Sequence, residues 1–161
     1  MALPEPARLA HHEAGHAVVQ HWVARGRFRV TRVSLESDGI NLAGSSLIEP
    51  EVNLGLYEFG LVVLAGIAAE NRYFKVVSPA TDEPWGAIGD IDEWLAQARS
   101  ALRSYARVEI VTKNVMRRLK DFFEDQTSWS VVTELAGVLL KEGVVEGGQL
   151  RSLLERQIVI F

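Results

Sequence analysis

His12-Glu13-Ala14-Gly15-His16 sets two imidazoles four residues apart, with a carboxylate directly after the first. Residues at i and i+4 of a helix point the same way, so both side chains can reach a single ion about 2.0–2.1 Å from each nitrogen. Glu13 is turned about 100° from His12 round the same helix, too far for a third ligand but near enough to hold a water beside the ion. Zinc lowers the pKa of a bound water from about 15.7 to roughly 7, so a carboxylate at that place can take its proton as the water attacks a carbonyl carbon. The spacing predicts His12 and His16 as metal ligands, Glu13 as the general base and Zn2+ as the cofactor.

The chain's other two histidines, His11 and His21, fall in the same stretch. His11 lies about 100° off the ligand face, and His21 follows His16 by more than one helical turn, so both are read as bystanders. Gly15 inside a helix costs about 1 kcal/mol relative to Ala, which predicts a close approach of something to the backbone there. Catalytic zinc usually keeps three protein ligands and one open position. With no cysteine and no further histidine, the third is a carboxylate, and Glu58, Glu70, Asp82, Glu83, Asp90, Asp92 and Glu93 are the candidates among which local pattern does not choose. Asp90 opens an apolar-periodic segment, which also fits a helix N-cap. Asp92 and Glu93 fit first-turn acids favoured by the helix dipole.

These side chains need a scaffold. Pro4 and Pro6 precede a first helix over 7–24, with Gly26 as its stop and the histidine pair in its middle. Residues 29–36 alternate in a strand-like manner, Ser37-Asp38-Gly39 is a turn signal, and 40–48 reads as a returning strand. From 51 to 73 the apolar residues are too dense for a surface helix and predict a buried central one. A loop over 74–85, with Pro79 and Pro84, leads to Asp90. One long helical pattern then runs through Trp94, Ala98, Leu102, Val108, Val115, Leu119 and Phe122, and short helices over 129–141 and 148–157 are separated by Gly143. The expected fold is mostly α with a small β-hairpin between the first and second helices, and Trp22, Trp94 and Trp129 belong to its core.

Composition agrees. With 161 residues and 48% hydrophobic content, 1–161 is expected to form a single domain. A net charge of −4 argues against nucleic acid, the basic groups at 25–32 and 117–120 reading as solvated faces. The longest apolar run, 59–69, is about half of the roughly 20 residues a membrane-spanning helix needs. Without a charged-then-apolar leader, a cytoplasmic protein of bacterial type is the expectation.

The stretch His12-Glu13-Ala14-Gly15-His16-Ala17-Val18 is similar to the signature of the peptidase domain of FtsH-type zinc proteases. Leu64-Ala65-Gly66-Ile67-Ala68-Ala69-Glu70 and Gly86-Ala87-Ile88-Gly89-Asp90-Ile91 resemble two further blocks of that family, in the same order. The second block carries the family's third zinc ligand, so the resemblance implies that role for Asp90, with Glu70 as the fallback. Gly89 stands where the family usually has Asn, and Asn71 replaces the second of two acidic residues.

The resemblance further implies a zinc-dependent endopeptidase acting on flexible or unfolded polypeptides, with the hairpin beside the zinc helix. Zincins bind extended substrate along an edge strand, which makes 41–47 a candidate substrate rail; a simple covering hairpin is the other reading. Tyr57 and Tyr73 are candidates for assisting the oxyanion. The family's members add a membrane anchor and an ATPase and assemble as hexameric rings. This chain has no Gly-x-x-x-x-Gly-Lys-Ser/Thr loop, so ATP-independent action, a separate delivery or unfolding partner and a homo-oligomer are the corresponding expectations. Gly89 and Asn71 favour a different class, a non-catalytic metal-binding or regulatory module. A hydrolase of non-peptide amides is a third, since activated water attacks any acyl group.

Overall fold

The computed structural model describes residues 5–24, 29–37, 42–49, 55–77 and 88–156. In chain order these form α1 (Glu5–Ala24), β1 (Arg29–Ser37), β2 (Leu42–Glu49), α2 (Leu56–Val77), α3 (Ile88–Leu102), α4 (Tyr105–Glu124), α5 (Gln126–Glu142), β3 (Val144–Glu146) and α6 (Gly147–Glu155). The chain is thus mostly α, with the hairpin between the first two helices as expected.

The dense apolar stretch makes α2 the central helix. Every residue from 61 to 70 is buried, because α1, α3 and α4 pack round it and no face is left for solvent. The helix begins at Leu56 and continues through Phe74 to Val77, later at both ends than the 51–73 pattern suggests. The expected loop over 74–85 is therefore helical up to Val77, and 78–87, with Pro79 and Pro84, lies outside the described residues.

The long pattern after Asp90 is two helices, not one. Arg103 takes a left-handed backbone (φ 51), and the Ser104 hydroxyl accepts from the Arg107 amide to start α4. The apolar period runs through the break because both helices bury a stripe against α2. Trp94 Nε1 donates to Thr112 Oγ1 at 2.8 Å, although residues that far apart on one straight helix would lie about 27 Å from each other. Gly60 admits the Trp94 ring, since a Cβ there would lie 2.8 Å from Trp94 Cζ3. Trp94 is fully buried, whereas Trp22 and Trp129 are partly buried and pack against the core.

Asp125 caps α5 through the Ser128 amide (2.9 Å), and Gly143 closes it at φ 77. The chain then forms β3, three residues too short to show a period in sequence. It pairs antiparallel with β1, setting Val145 opposite Val33, and the sheet order is β2-β1-β3. β1 and β2 pair from Arg29↔Glu49 to Ser37↔Leu42, with an irregularity between Val30 and Arg32. α1 packs on both strands of the hairpin.

Candidate metal centre

The glycines of α1 and α2 decide how near the histidines come to the central helix. A Cβ on Gly15 would lie 2.5 Å from Ala69 Cβ and 3.1 Å from the Ala65 carbonyl oxygen, so α1 and α2 touch almost backbone to backbone. This is the close approach that Gly15 implied. Gly66 does the same for the imidazole: a Cβ there would land against the His12 ring, 2.6 Å from Cδ2 and nearer still to Nε2 and Cε1.

At that distance α2 fixes both rings from behind. His16 Nδ1 lies 2.8 Å from the Val62 carbonyl oxygen, and His12 Nδ1 lies 2.5 Å from Glu70 Oε1, which also accepts from Arg8 Nη1 at 3.0 Å. A carbonyl and a carboxylate only accept, so both Nδ1 atoms carry a proton, and each Nε2 atom is left to present a lone pair whenever its ring is neutral. Those Nε2 atoms stand 3.0 Å apart. Asp90, in the first turn of α3 and 74 residues after His16, brings Oδ2 to 2.9 Å from His12 Nε2 and 3.2 Å from His16 Nε2.

Three electron-rich atoms so close together repel one another unless a proton or a metal cation lies among them. Zinc bonds of 2.0–2.1 Å would put tetrahedral neighbours roughly 3.3–3.4 Å apart, only a few tenths wider than this triangle. The residues fit a metal ion, and His12, Glu13 and His16 form a group that could hold one. Glu13 Oε1 sits 4.0 Å from His12 Nε2, beside the triangle and not at its corner.

The electrostatics express the same demand for positive charge. Burial disfavours the charged His12, yet hydrogen bonds to Asp90 and Glu70 and the charges of Glu70 and Glu13 outweigh it and hold its pKa up at about 9. Burial pushes Asp90 up, but the two imidazoles hold its carboxyl well below the usual carboxylate range. Glu13 is raised, chiefly by burial, against the opposing charges of His16 and His12. Side-chain exposure climbs from 0% at Glu70 through 9% at His12 and 13% at His16 to 27% at Asp90, so the site opens on the Asp90 side.

Among the seven candidate carboxylates, Asp90 stands at the triangle. Glu70 is placed behind His12 as its hydrogen-bond partner, a correction to its reading as fallback ligand. Its Oε1 serves His12 and Arg8, and its buried Oε2 finds no partner among the described residues. Asp90 also lies inside α3, not at its cap. Asp92 and Glu93 are exposed, Glu58 is in the first turn of α2, and Asp82 and Glu83 lie outside the described residues. His11 stands apart, as expected: its Nδ1 meets the Ala7 carbonyl at 2.7 Å and its ring stacks on Tyr73 at 4.1 Å. Burial lowers the pKa of His11, and also that of His21 in the last turn of α1, where Glu155 opposes it. Tyr73 is thereby engaged with His11, and Tyr57 is exposed.

Sequence reasoning missed Arg8, Gly66 and the Val62 carbonyl. The i, i+4 spacings Arg8/His12, Gly66/Glu70 and Val62/Gly66 were there to be read, but which helix faced which was not. No family model matches the chain, and no curated protein matches it. Among the described residues no helix is long and apolar enough to cross a membrane.

Proposed function

We propose that this protein is a zinc-dependent metallohydrolase of the endopeptidase kind, related to FtsH-type peptidase domains, with His12, His16 and Asp90 as the ligands and Glu13 as the general base. The observation that carries the reading is the convergence of two Nε2 atoms and Asp90 Oδ2 within 3.2 Å, with the buried Glu13 carboxylate beside them. A structural zinc site is usually closed by four protein ligands and needs no base; three ligands, a carboxylate alongside and exposure at Asp90 favour an open, hydrolytic one.

Zinc bound there would polarise a substrate carbonyl and acidify a water molecule. Glu13 orients that water through its carboxylate, accepts its proton and returns it to the leaving amine. Its burial favours this cycle by moving its pKa toward neutrality. Glu70 and Arg8 hold the His12 ring in orientation, and the Val62 carbonyl does so for His16. Among the described residues β2 pairs with β1 alone and so is an edge strand, which supports the substrate-rail reading for 42–47; Asn41 lies outside the described residues.

The test measures zinc content and cleavage of unfolded casein for the wild type, Glu13→Gln and Asp90→Ala at matched zinc. One zinc and cleavage in the wild type, metal without cleavage in Glu13→Gln and weakened metal binding in Asp90→Ala are the expected results. Zinc without any cleavage would replace the peptidase by the non-catalytic module, and cleavage of small amides but not peptides by the amidase. No zinc binding at all would overturn the ligand assignment.

A further inference from the structure

On the face of the molecule where α2 and α4 meet lies a cavity of about 420 Å³, formed by residues other than those of the metal centre. Its size is within the range of pockets that hold small organic molecules. The apolar part of its lining comes from Ala68, Phe74, Met116 and Phe123. Four cations share that lining, Arg72 and Lys75 from α2 with Arg117 and Lys120 from α4, against the single acid Glu124. The whole chain carries 17 basic and 21 acidic residues, so the charge balance of this cavity is the reverse of the protein's.

Two details make it more than a chance cluster of surface lysines. Arg72 is anchored: Nε donates to the Phe123 carbonyl (3.3 Å), one of the last carbonyls of α4, and its guanidinium lies 5.4 Å from the Trp129 ring centre. Arg72 therefore stands in the lining with its position already set, and the ordering cost of binding is lower than for a free side chain. Phe74 and Phe123 are fully buried, so the apolar part is rigid, while Met116 is half-buried and can adapt to shape.

We propose that this cavity is a binding site for a small amphipathic organic anion, an apolar body against Phe123 and Met116 and an acidic head among Arg72, Lys75 and Arg117. Neither half suffices alone: a bare inorganic anion leaves the apolar lining wet, and a neutral apolar molecule leaves the cations unused. The site is separate from the metal centre, so its failure and that of the hydrolase reading are independent.

The probe is 8-anilinonaphthalene-1-sulfonate, whose fluorescence rises in apolar surroundings, titrated into the full chain beside its uncharged relative N-phenyl-1-naphthylamine. Saturable binding of the sulfonate at one site, at least tenfold tighter than the neutral probe and weakening as salt is raised, is expected. Lys75 and Arg117 are exposed, so Lys75→Glu with Arg117→Glu keeps the fold, and it should weaken the sulfonate at least tenfold while changing the neutral probe less than threefold. Decanoate, an amphipathic carboxylate, should displace the sulfonate and inorganic phosphate should not. Equal affinity for the two probes in the wild type, or unchanged sulfonate binding in the doubly substituted protein, would overturn the proposal.

Discussion

Replacing Gly66 by Ala tests the placement of His12 against α2, because the added methyl would meet the His12 ring. In an ordinary helix interior the change stabilises by up to about 1 kcal/mol, since Ala loses less backbone freedom. Here the new Cβ would stand 2.6 Å from His12 Cδ2 and nearer still to Nε2, where ordinary contact begins at 3.4 Å, so the ring must retreat by at least about 0.8 Å. Metal bonds tolerate about 0.2 Å, so Nε2 moves some four times too far and the ion loses a ligand. A four-ligand zinc site is worth about 10–16 kcal/mol, which makes one ligand worth roughly 3 kcal/mol and its loss about a hundredfold in affinity. The ring is the far end of a side chain and can turn aside, so the metal-free fold survives. The assay is competition with a chromophoric chelator for zinc, with thermal unfolding in EDTA as the companion. A Gly66→Ala protein that binds zinc within threefold of wild type would refute the placement of His12 against α2.

Other outcomes follow from the same geometry. Glu70→Gln keeps an acceptor for His12 Nδ1 but removes the charge, and should weaken zinc by about 10–100-fold in the same competition assay. Gly15→Ala presses a methyl on Ala69 and on the Ala65 carbonyl, both in a helix that cannot turn aside, and should destabilise by about 1–3 kcal/mol in urea unfolding. In the metal-free protein, His12 titrates at about 9 against 6.5 for an unperturbed histidine, so its stabilising contribution is complete below pH 6.5 and fades as pH rises through 9. Urea unfolding in EDTA should show that loss, and His12→Gln should abolish it; a wild type equally stable at pH 6 and pH 9.5 contradicts the assignment.

Much of this protein is legible from local spacing. A period of 3.6 and two imidazoles one turn apart are properties of a single helix, so α1, its histidine face and the offset of Glu13 follow from residues 12–16 without any partner. The density of apolar residues round Ile67 likewise requires a helix covered on all sides, and alternation with a turn signal predicts the hairpin. Gly15 announced a close neighbour without naming it.

Tertiary structure alone decided what depends on distance in the chain. Asp90 joins His16 across 74 residues and Glu70 joins His12 across 58, and no local pattern ranks one carboxylate above another for such pairings; the family resemblance pointed to Asp90 without a geometric reason. Glu70 became a hydrogen-bond partner of His12 because α2 approaches α1 so closely that its carboxylate meets Nδ1, on the side of the ring away from Asp90. The break at Arg103 and the three residues of β3 escaped for a related reason: one leaves the apolar period intact, and the other is stabilised only by its pairing with β1. Short-range periodicity encodes the elements, while which buried groups meet depends on how closely those elements pack, and here two glycines without side chains determine that distance.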